Sequence, residues 1–374
     1  MYDQIREENL FVLLYGVVTA MSAIASCYLL FRRANAIAPD ITPPARLRQW
    51  TAAFFASIAL NHLWYSPIMF LTSSEDIQTI DLIGGLLDCM TVIPLAIVVL
   101  LTMLQDRKRP LWPVALMVAP LVAGGVVSVA NRSYVLLPWI YVYFLLMGIG
   151  FIIYMVCALR QYGHWLRDNY ADLEHKEVWQ GFVVLAIIFL VFGTYTYIYE
   201  GTAYIYALLA GFAVLICYLL WRVETLSDLS SLQSQSLPAT AAATPEDEDK
   251  GLSQAARDNI GVLLQKHCID SQLYLQHDLN VAQLAKAIGT NRFYLSQYFS
   301  AQGITYNAYI NNLRIDHFKN LYRLALAEGR SFTAQQLAGE SGYHSYSTFR
   351  LAFKQRMGQN VREWMHETTP NSQD

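Results

Sequence analysis

The stretch NVAQLAKAIG, residues 280–289, returns in outline as TAQQLAGESG, residues 333–342. In both copies a short polar side chain is followed three positions later by Gln, then directly by Leu-Ala, and the copy ends in Gly. The polar residue and the Gln match a capping box, in which two side chains satisfy free backbone N–H groups at a helix start. The glycine is typical of a helix that ends where the chain turns sharply. Each copy therefore predicts one short helix with a defined start and end.

A second helical pattern follows each turn. The apolar positions that define these two helices are Phe293, Leu295 and Phe299 within residues 291–301, and Phe349 and Phe353 within residues 345–357. A short helix, a tight turn with glycine and a second helix form the helix-turn-helix signature, whose second helix enters the DNA major groove. Of these apolar side chains, all but Phe293 are predicted to lie in the core.

A long helical pattern over residues 306–328 separates the two copies and would hold them rigidly apart. At this point the sequence resembles the DNA-binding domain of the AraC family, over roughly residues 257–367. The matching positions are Leu284-Ala285, Leu295, Phe299, Gly303, Tyr309-Ile310, Leu313-Arg314, Leu337-Ala338, Gly342-Tyr343, Phe349, Phe353 and Gly358. The resemblance implies two helix-turn-helix units in one chain that bind promoter DNA.

The resemblance also implies which side chains face base edges, since the N-terminal part of each second helix does so. These positions are Arg292, Phe293, Ser296 and Gln297 in the first unit, and Tyr346, Ser347, Arg350 and Leu351 in the second. Arg pairs with guanine, Gln with adenine, and aromatic rings pack on thymine methyl groups. The helix caps, which would also meet phosphates, are Asn280, Asn291, Thr333 and Ser345. Ordinary solvated or phosphate-touching roles for Arg292 and Arg350 stay open.

The sequence departs from the family pattern at three places. Many members carry Arg where Gln297 and Leu351 stand here, so base readout is expected to differ in both units. Phe318 occupies a position in the long helix that is usually small. Gln359-Asn360-Val361 replaces the usual Thr-Pro after the last glycine. The last two departures are interpreted as variations in packing.

The composition of the remaining chain indicates membrane spans. The 374 residues are 55% hydrophobic and only 15% charged, against roughly a quarter charged in ordinary globular domains. Apolar runs of spanning length, about twenty residues, occupy 10–31, 50–71, 82–104, 111–130, 134–159, 179–199 and 202–221. The first run is interpreted as a span rather than a cleaved signal peptide, because its flank is acidic. The predicted fold class is all-α: a polytopic seven-helix membrane bundle followed by a cytoplasmic tandem helix-turn-helix domain.

Basic residues fall in alternate loops, which fixes the predicted orientation. Arg and Lys concentrate after runs one, three, five and seven, whereas the other loops hold mainly acids, with Arg132 as the exception. The N-terminus is therefore expected outside and the C-terminus in the cytoplasm, in a multi-pass protein of the bacterial inner (cytoplasmic) membrane. This orientation depends on the short turn at residues 131–133, because it requires the fourth and fifth runs to be two separate spans.

The predicted domains are a seven-span sensor at 1–222, a flexible cytoplasmic linker at 223–252, an AraC-type DNA-binding domain at 253–368 and a disordered tail at 369–374. The linker is polar and rich in Ser, Ala and Thr, followed by an acidic run. An alternative for residues 222–235 is a short helix that extends the last span and forms a dimerising stalk, because leucines recur there at helical spacing.

Polar groups inside the apolar runs are candidate sensing residues, since ionisable groups are costly at bilayer depth. They are Asn61, His62, Asp88, Tyr195 and Glu200, and Asn61 and His62 are expected to be partners of Asp88. Pro67 and Pro94 are possible hinges because each removes a helical hydrogen bond. The competing interpretation is structural: tyrosines as an interfacial belt, and Asp88 satisfied by neighbouring helices.

The sequence favours a membrane-bound one-component transcriptional regulator that needs no cofactor. Its expected partners are double-stranded promoter DNA, the lipid bilayer and a signal, either a small molecule or a membrane protein, and a homodimer would read a longer site. Two alternatives stay open: a transporter or enzyme with a regulatory DNA-binding tail, and a passive anchor released by proteolysis. Neither HExxH, GxSxG nor a Walker loop occurs, so no catalytic residue is predicted. The five scattered cysteines are interpreted as small apolar residues, neither disulfides nor metal ligands.

Overall fold

The computed structural model describes residues 2–183, 202–229 and 253–368. These residues form two compact units, and every regular element among them is helical, which confirms the all-α class. The first unit lies within Met1–Tyr162 and Val178–Ser231, and the second within Gly163–Glu177 and Leu232–Asp374. The short segment Gly163–Glu177 thus belongs with the C-terminal part of the chain, although it follows the fifth apolar run.

The helices of the first unit follow the apolar runs. They are α1 (Tyr2–Phe31), α2 (Ala45–Tyr65) with a 3-10 turn (Ser66–Phe70), α3 (Ser74–Met90), α4 (Val92–Met103), α5 (Trp112–Asn131), α6 (Leu137–Asn169), whose last turns belong to the second unit, and α7 (Thr202–Glu224). Among the described residues, four helical segments are long and apolar enough to cross a membrane: Asn9–Phe31, Ser74–Met103, Trp112–Asn131 and Leu137–Asn169. Seven spans are therefore not confirmed. Most of the sixth run, 179–199, lies outside the described residues.

Two breaks between helices lie where the sequence provides a reason for them. The chain leaves helical geometry at Thr91, between α3 and α4. Pro94 lies three residues later, and it lacks the N–H that would continue the hydrogen-bond ladder across this point. Between α5 and α6, Arg132 adopts a left-handed conformation with φ 49° and closes the turn. The third apolar run is thus divided between α3 and α4, whereas the fourth and fifth runs lie in two separate helices.

The sequence offered a helical stalk at residues 222–235 as an alternative, and the structure differs from it. Helix α7 stops at Glu224, and Leu226 and Leu229 are 0% and 3% exposed. The backbone N–H of Leu229 donates to Gln105 Oε1 at 2.8 Å, and the N–H of Asp228 donates to the carbonyl of Thr42 at 2.9 Å. The leucine spacing therefore reflects burial inside this unit, and the helical extension was wrong for the described part of the range.

The second unit contains the two repeats and the long helix between them. Its elements are α8 (Gln254–Leu264), a π turn (Gln265–Ile269), a 3-10 turn (Leu273–Leu275), α9 (Val281–Ala287), α10 (Arg292–Ala301), α11 (Tyr306–Ala327), α12 (Ala334–Glu340), α13 (Tyr346–Met357) and α14 (Val361–Thr368). Each repeat is a helix-turn-helix: α9 with α10, and α12 with α13.

Each helix-turn-helix has its own hydrophobic core, and α11 contributes to both. Leu295 and Phe299 are buried in the first core, and Phe349 and Phe353 in the second, as the apolar spacing predicts. On α11, Ile310 belongs to the first core, and Ile315 and Phe318 belong to the second. One continuous helix therefore fixes the two helix-turn-helix motifs relative to each other.

The family departures in this unit are accommodated by packing and capping. The ring of Phe318 is 0% exposed, and its centroid lies 4.5 Å from that of Phe349. At the departure after the last glycine, Asn360 caps α14, because its Oδ1 accepts from the N–H of Glu363 at 3.0 Å while its own N–H donates to the Glu363 carboxylate at 3.2 Å. Val361 then enters the core at 3% exposure.

Candidate nucleic-acid interface

Both short first helices begin with a capping box. Asn280 Oδ1 accepts from the N–H of Gln283 at 2.9 Å, and Gln283 Oε1 accepts from the N–H of Asn280 at 2.9 Å. Thr333 and Gln336 repeat this exchange at 3.1 and 2.9 Å. Because such reciprocal bonds satisfy two otherwise free donors, they fix where α9 and α12 begin. The capping box that the sequence predicts is thus present in both repeats.

The turn in each repeat is made by a glycine in the left-handed region. Gly289 has φ 73° and Gly342 has φ 88°. The two differ in their surroundings. A Cβ at position 289 would meet nothing within 4 Å, whereas one at 342 would lie 2.8 Å from the backbone of Leu275. Conformation alone requires the first glycine, and both conformation and close packing require the second.

The two second helices are capped by the residues that the sequence indicates. Asn291 Oδ1 accepts from the N–H of Tyr294 at 2.9 Å, and Ser345 Oγ accepts from the N–H of Thr348 at 3.3 Å. Each cap leaves other N–H groups of its first helical turn available for an anion. Contact of these turns with phosphate remains a prediction.

The α10 residues that are predicted to face base edges, here called reading positions, are partly accessible. Phe293 is 45% exposed, whereas Arg292, Ser296 and Gln297 are intermediate. Burial lowers the pKa of Arg292, and the neighbouring Tyr170 opposes that shift. Gln297 Oε1 is inaccessible and accepts no hydrogen bond from the described residues. In this conformation the carbonyl oxygen of Gln297 is not accessible to a partner.

The predicted reading positions of α13 are more open. Ser347 and Arg350 are exposed, and Leu351 is 60% exposed. Tyr346 is the exception, because its ring packs on Phe349 with the centroids 5.8 Å apart and borders the second core. A large apolar side chain beside an arginine on an open helix face suits contact with a thymine methyl group and with a guanine edge.

The structure assigns a role to Arg314 that sequence reasoning had not given it. The side chain is 1% exposed, with Nε donating to the carbonyl of Tyr274 and Nη2 to the carbonyl of Gln276, both at 2.7 Å. Its guanidinium lies 5.5 Å from the centroid of the Tyr343 ring. Burial lowers the pKa of Arg314, but an arginine keeps its charge. Arg314 thus ties α11 to the chain before the first motif and to the turn of the second.

In the first unit, the hydrogen-bond partners of Asp88 differ from the predicted ones. The Asp88 carboxylate accepts from Asn61 Nδ2 at 2.6 Å and from the hydroxyl of Tyr65 at 3.0 Å. His62 instead donates through Nδ1 to the carbonyl of Ile58 at 2.8 Å. Asn61 and Tyr65 lie four residues apart and share one face of α2, whereas the next residue points about 100° away. The expected Asp88–His62 pairing was therefore wrong, and Tyr65 was missed.

The other two candidate sensing residues, Tyr195 and Glu200, lie outside the described residues. Within the described ranges, no group of three or more His, Cys, Asp or Glu side chains is arranged to hold a metal ion. All five cysteines are free thiols, and Cys268 is the buried one.

In a comparison with protein families, the family model described as a helix-turn-helix domain matches residues 284–367. The match spans both repeats, since it runs from within α9 to within α14. It supports an AraC-family DNA-binding domain, and so the class of DNA-binding transcriptional regulators. Comparisons with curated proteins and with solved structures gave no match.

Proposed function

We propose that the chain is a membrane-bound one-component transcriptional regulator: it binds promoter DNA through α10 and α13 under the control of a signal sensed by its membrane half. The observation that carries the proposal is the pair of capped second helices held by the single helix α11. Two motifs fixed in this way suit two successive major-groove faces, which lie about 34 Å apart along the duplex.

The chemistry of the helix faces supports DNA as the partner. Arg350 and Leu351 extend from the exposed face of α13, and Phe293 from that of α10. The first turns of both helices supply backbone N–H groups, and the helix dipole favours negative charge at the same place. Phosphate contacts would position the protein, and these side chains would supply discrimination between bases.

The apolar helices of the first unit support attachment to the bilayer. Four described segments meet the length and hydropathy of a span, and the alternation of basic loops favours an external N-terminus and a cytoplasmic C-terminus. The partly buried Asp88 cluster with Asn61 and Tyr65 is the candidate sensing site, because polar groups at membrane depth usually serve function. A signal would act by binding one of two states of the helix bundle more tightly than the other, which shifts the equilibrium between them.

The test is genome-wide DNA occupancy of the full-length protein in its own cell. We expect discrete peaks that disappear in the double variant Arg350→Ala, Gln297→Ala. The variant Arg323→Ala is the matched control, because it removes an exposed positive charge from α11 rather than from a reading helix. Peaks that survive the double variant, or that vanish equally in the control, would contradict the assignment of α10 and α13 as reading helices.

A further inference from the structure

A short segment that follows α6 is built into the second unit. Ala171 is 1% exposed and belongs to the same hydrophobic core as Leu284 and Leu295 of the first motif. Its neighbours Tyr170 and Asp172 are each 5% exposed. A segment that lies between two apolar runs of the sequence thus contributes a side chain to the core of a DNA-binding motif. We call residues 170–177 the docking segment.

The backbone of the docking segment is held by the DNA-binding unit. The N–H of Ala171 donates to the carbonyl of Leu279 at 3.3 Å, within an antiparallel bridge between Tyr170 and Asn280. Asn307 Nδ2 donates to the Ala171 carbonyl at 2.6 Å, and Asn311 Nδ2 to the same oxygen at 3.3 Å. Main-chain pairing combined with a pocket for one small side chain is how proteins bind extended peptides.

Charged side chains of the docking segment contact the chain just before the first motif and the first turn of α13 in the second motif. Lys176 Nζ lies 3.2 Å from Asp278 Oδ1, just before α9. The hydroxyl of Thr348, in the first turn of α13, donates to Glu174 Oε2 at 3.0 Å. The docking segment therefore touches the entrance of the first motif, the start of α11 and the start of the second reading helix.

The contact with α13 falls where DNA would bind. Thr348 follows Ser347 directly and lies one turn before Leu351, and both are predicted reading positions. The Glu174 carboxylate occupies the positive end of the α13 dipole, which is also the place that favours a phosphate. Two anionic groups cannot share that place without strong repulsion in a partly dehydrated contact. On the first motif, Tyr170 likewise lies near Arg292.

We propose that the docking segment is an intramolecular latch that competes with DNA for the first turn of α13, and that its groove on the second unit accepts this segment as an acidic peptide with a turn at residues 174–176. The proposal rests on the proposed function. The segment continues directly from α6, which is a candidate membrane span. A signal that moves α6 would therefore release or seat the latch without any other messenger.

The test uses the full-length protein in lipid nanodiscs and a pool of random-sequence DNA duplexes, from which bound sequences are selected. Glu174→Gln keeps the side-chain shape but removes the charge at Thr348. We expect it to tighten DNA binding about tenfold, because the Thr348 hydroxyl then bonds to a neutral acceptor, which is weaker than a charged one by about 1 kcal/mol or more. Ala171→Asp, which cannot enter the apolar core, is expected to tighten binding at least as much. Asp168→Asn, an exposed acid on the last turn of α6, is the matched control and leaves affinity unchanged.

Hydrogen exchange of residues 170–177 is the second readout. We expect slow exchange in the free protein and fast exchange once DNA is bound, approaching that of Ala171→Asp. If DNA binds while the segment stays protected and Glu174→Gln behaves like Asp168→Asn, the latch is refuted and the proposed function stands. If no variant binds any duplex, the proposed function itself fails, and the latch fails with it.

Discussion

The two turn glycines offer an internal comparison, because they hold equivalent positions in the repeats and differ in one respect. Gly289→Ala requires a side chain at φ 73° in open space, and Gly342→Ala requires one at φ 88° against the backbone of Leu275. A left-handed conformation costs an L-residue about 1–2 kcal/mol. The first substitution should therefore destabilise the second unit by about 1 kcal/mol.

The second substitution adds a steric cost to this conformational one. The new Cβ of Gly342→Ala would lie 2.8 Å from the Cα and from the carbonyl oxygen of Leu275, so the backbone at one of the two sites must move. Overpacking in a filled interior costs about 1–3 kcal/mol. The total is therefore about 3 kcal/mol, and the two variants should differ by about 2 kcal/mol.

Native-state hydrogen exchange of the full-length protein in detergent measures this difference directly, because core amides exchange through opening of the unit. Each 1.4 kcal/mol is a factor of ten in the opening equilibrium. We expect core amides of the second unit to exchange about five to ten times faster in Gly289→Ala, and more than a hundred times faster in Gly342→Ala. Equal acceleration in the two variants would refute the steric argument, and slower exchange in either would refute the conformational one.

Three further predictions concern the buried residues Arg314 and Cys268 and the partly buried Asp88. Arg314→Lys should destabilise the second unit by about 2–4 kcal/mol, because lysine lacks the planar fork whose separate nitrogens reach the carbonyls of Tyr274 and Gln276. Chemical denaturation followed by fluorescence measures the loss. Burial raises the pKa of the Cys268 thiol to about 11. Since the folded state holds this proton more tightly, the stabilisation is complete below about pH 8.5 and is lost as the pH rises through 11. Cys268→Ala should therefore show a flatter decline of stability over that range. Asp88→Asn should alter the response of a reporter gene to its signal at unchanged membrane abundance.

Each of these predictions has a contradicting result. A lysine variant at 314 as stable as the native protein would show that the paired hydrogen bonds matter little. An identical alkaline decline with alanine at 268 would mean that other groups cause it. An unaltered reporter response with asparagine at 88 would mean that the cluster of Asp88, Asn61 and Tyr65 has a structural role only.

The repeats could be predicted from sequence because their signals are local. A capping box needs only residues three apart, and a left-handed glycine needs only its own backbone, so Asn280, Thr333, Gly289 and Gly342 were identifiable without tertiary structure. The core positions followed from helical periodicity, which places side chains three and four residues apart on one face. Phe318 departed from a family pattern but kept the periodicity, and it is buried.

Features that depend on contacts between distant residues could not be predicted. Nothing periodic marks Ala171 as a core residue of a motif that begins more than a hundred positions later, and its partners are ordinary asparagines, Asn307 and Asn311. Leu226 and Leu229 have the spacing of an exposed stalk, yet tertiary packing buries them. Which residues of α2 bond to Asp88 depends on which face of that helix packs against α3, and the sequence does not show this.

DNA capture by membrane vesicles of defined orientation tests the central claim most directly. Inside-out vesicles carrying the full-length protein should retain labelled duplex DNA selected by that protein, and right-side-out vesicles should not. The double variant Arg350→Ala, Gln297→Ala should abolish retention while the protein stays in the membrane. Protein found in the soluble fraction, or DNA retained equally by both vesicle types or by the double variant, would contradict a membrane-bound regulator that reads DNA on the cytoplasmic side through α10 and α13.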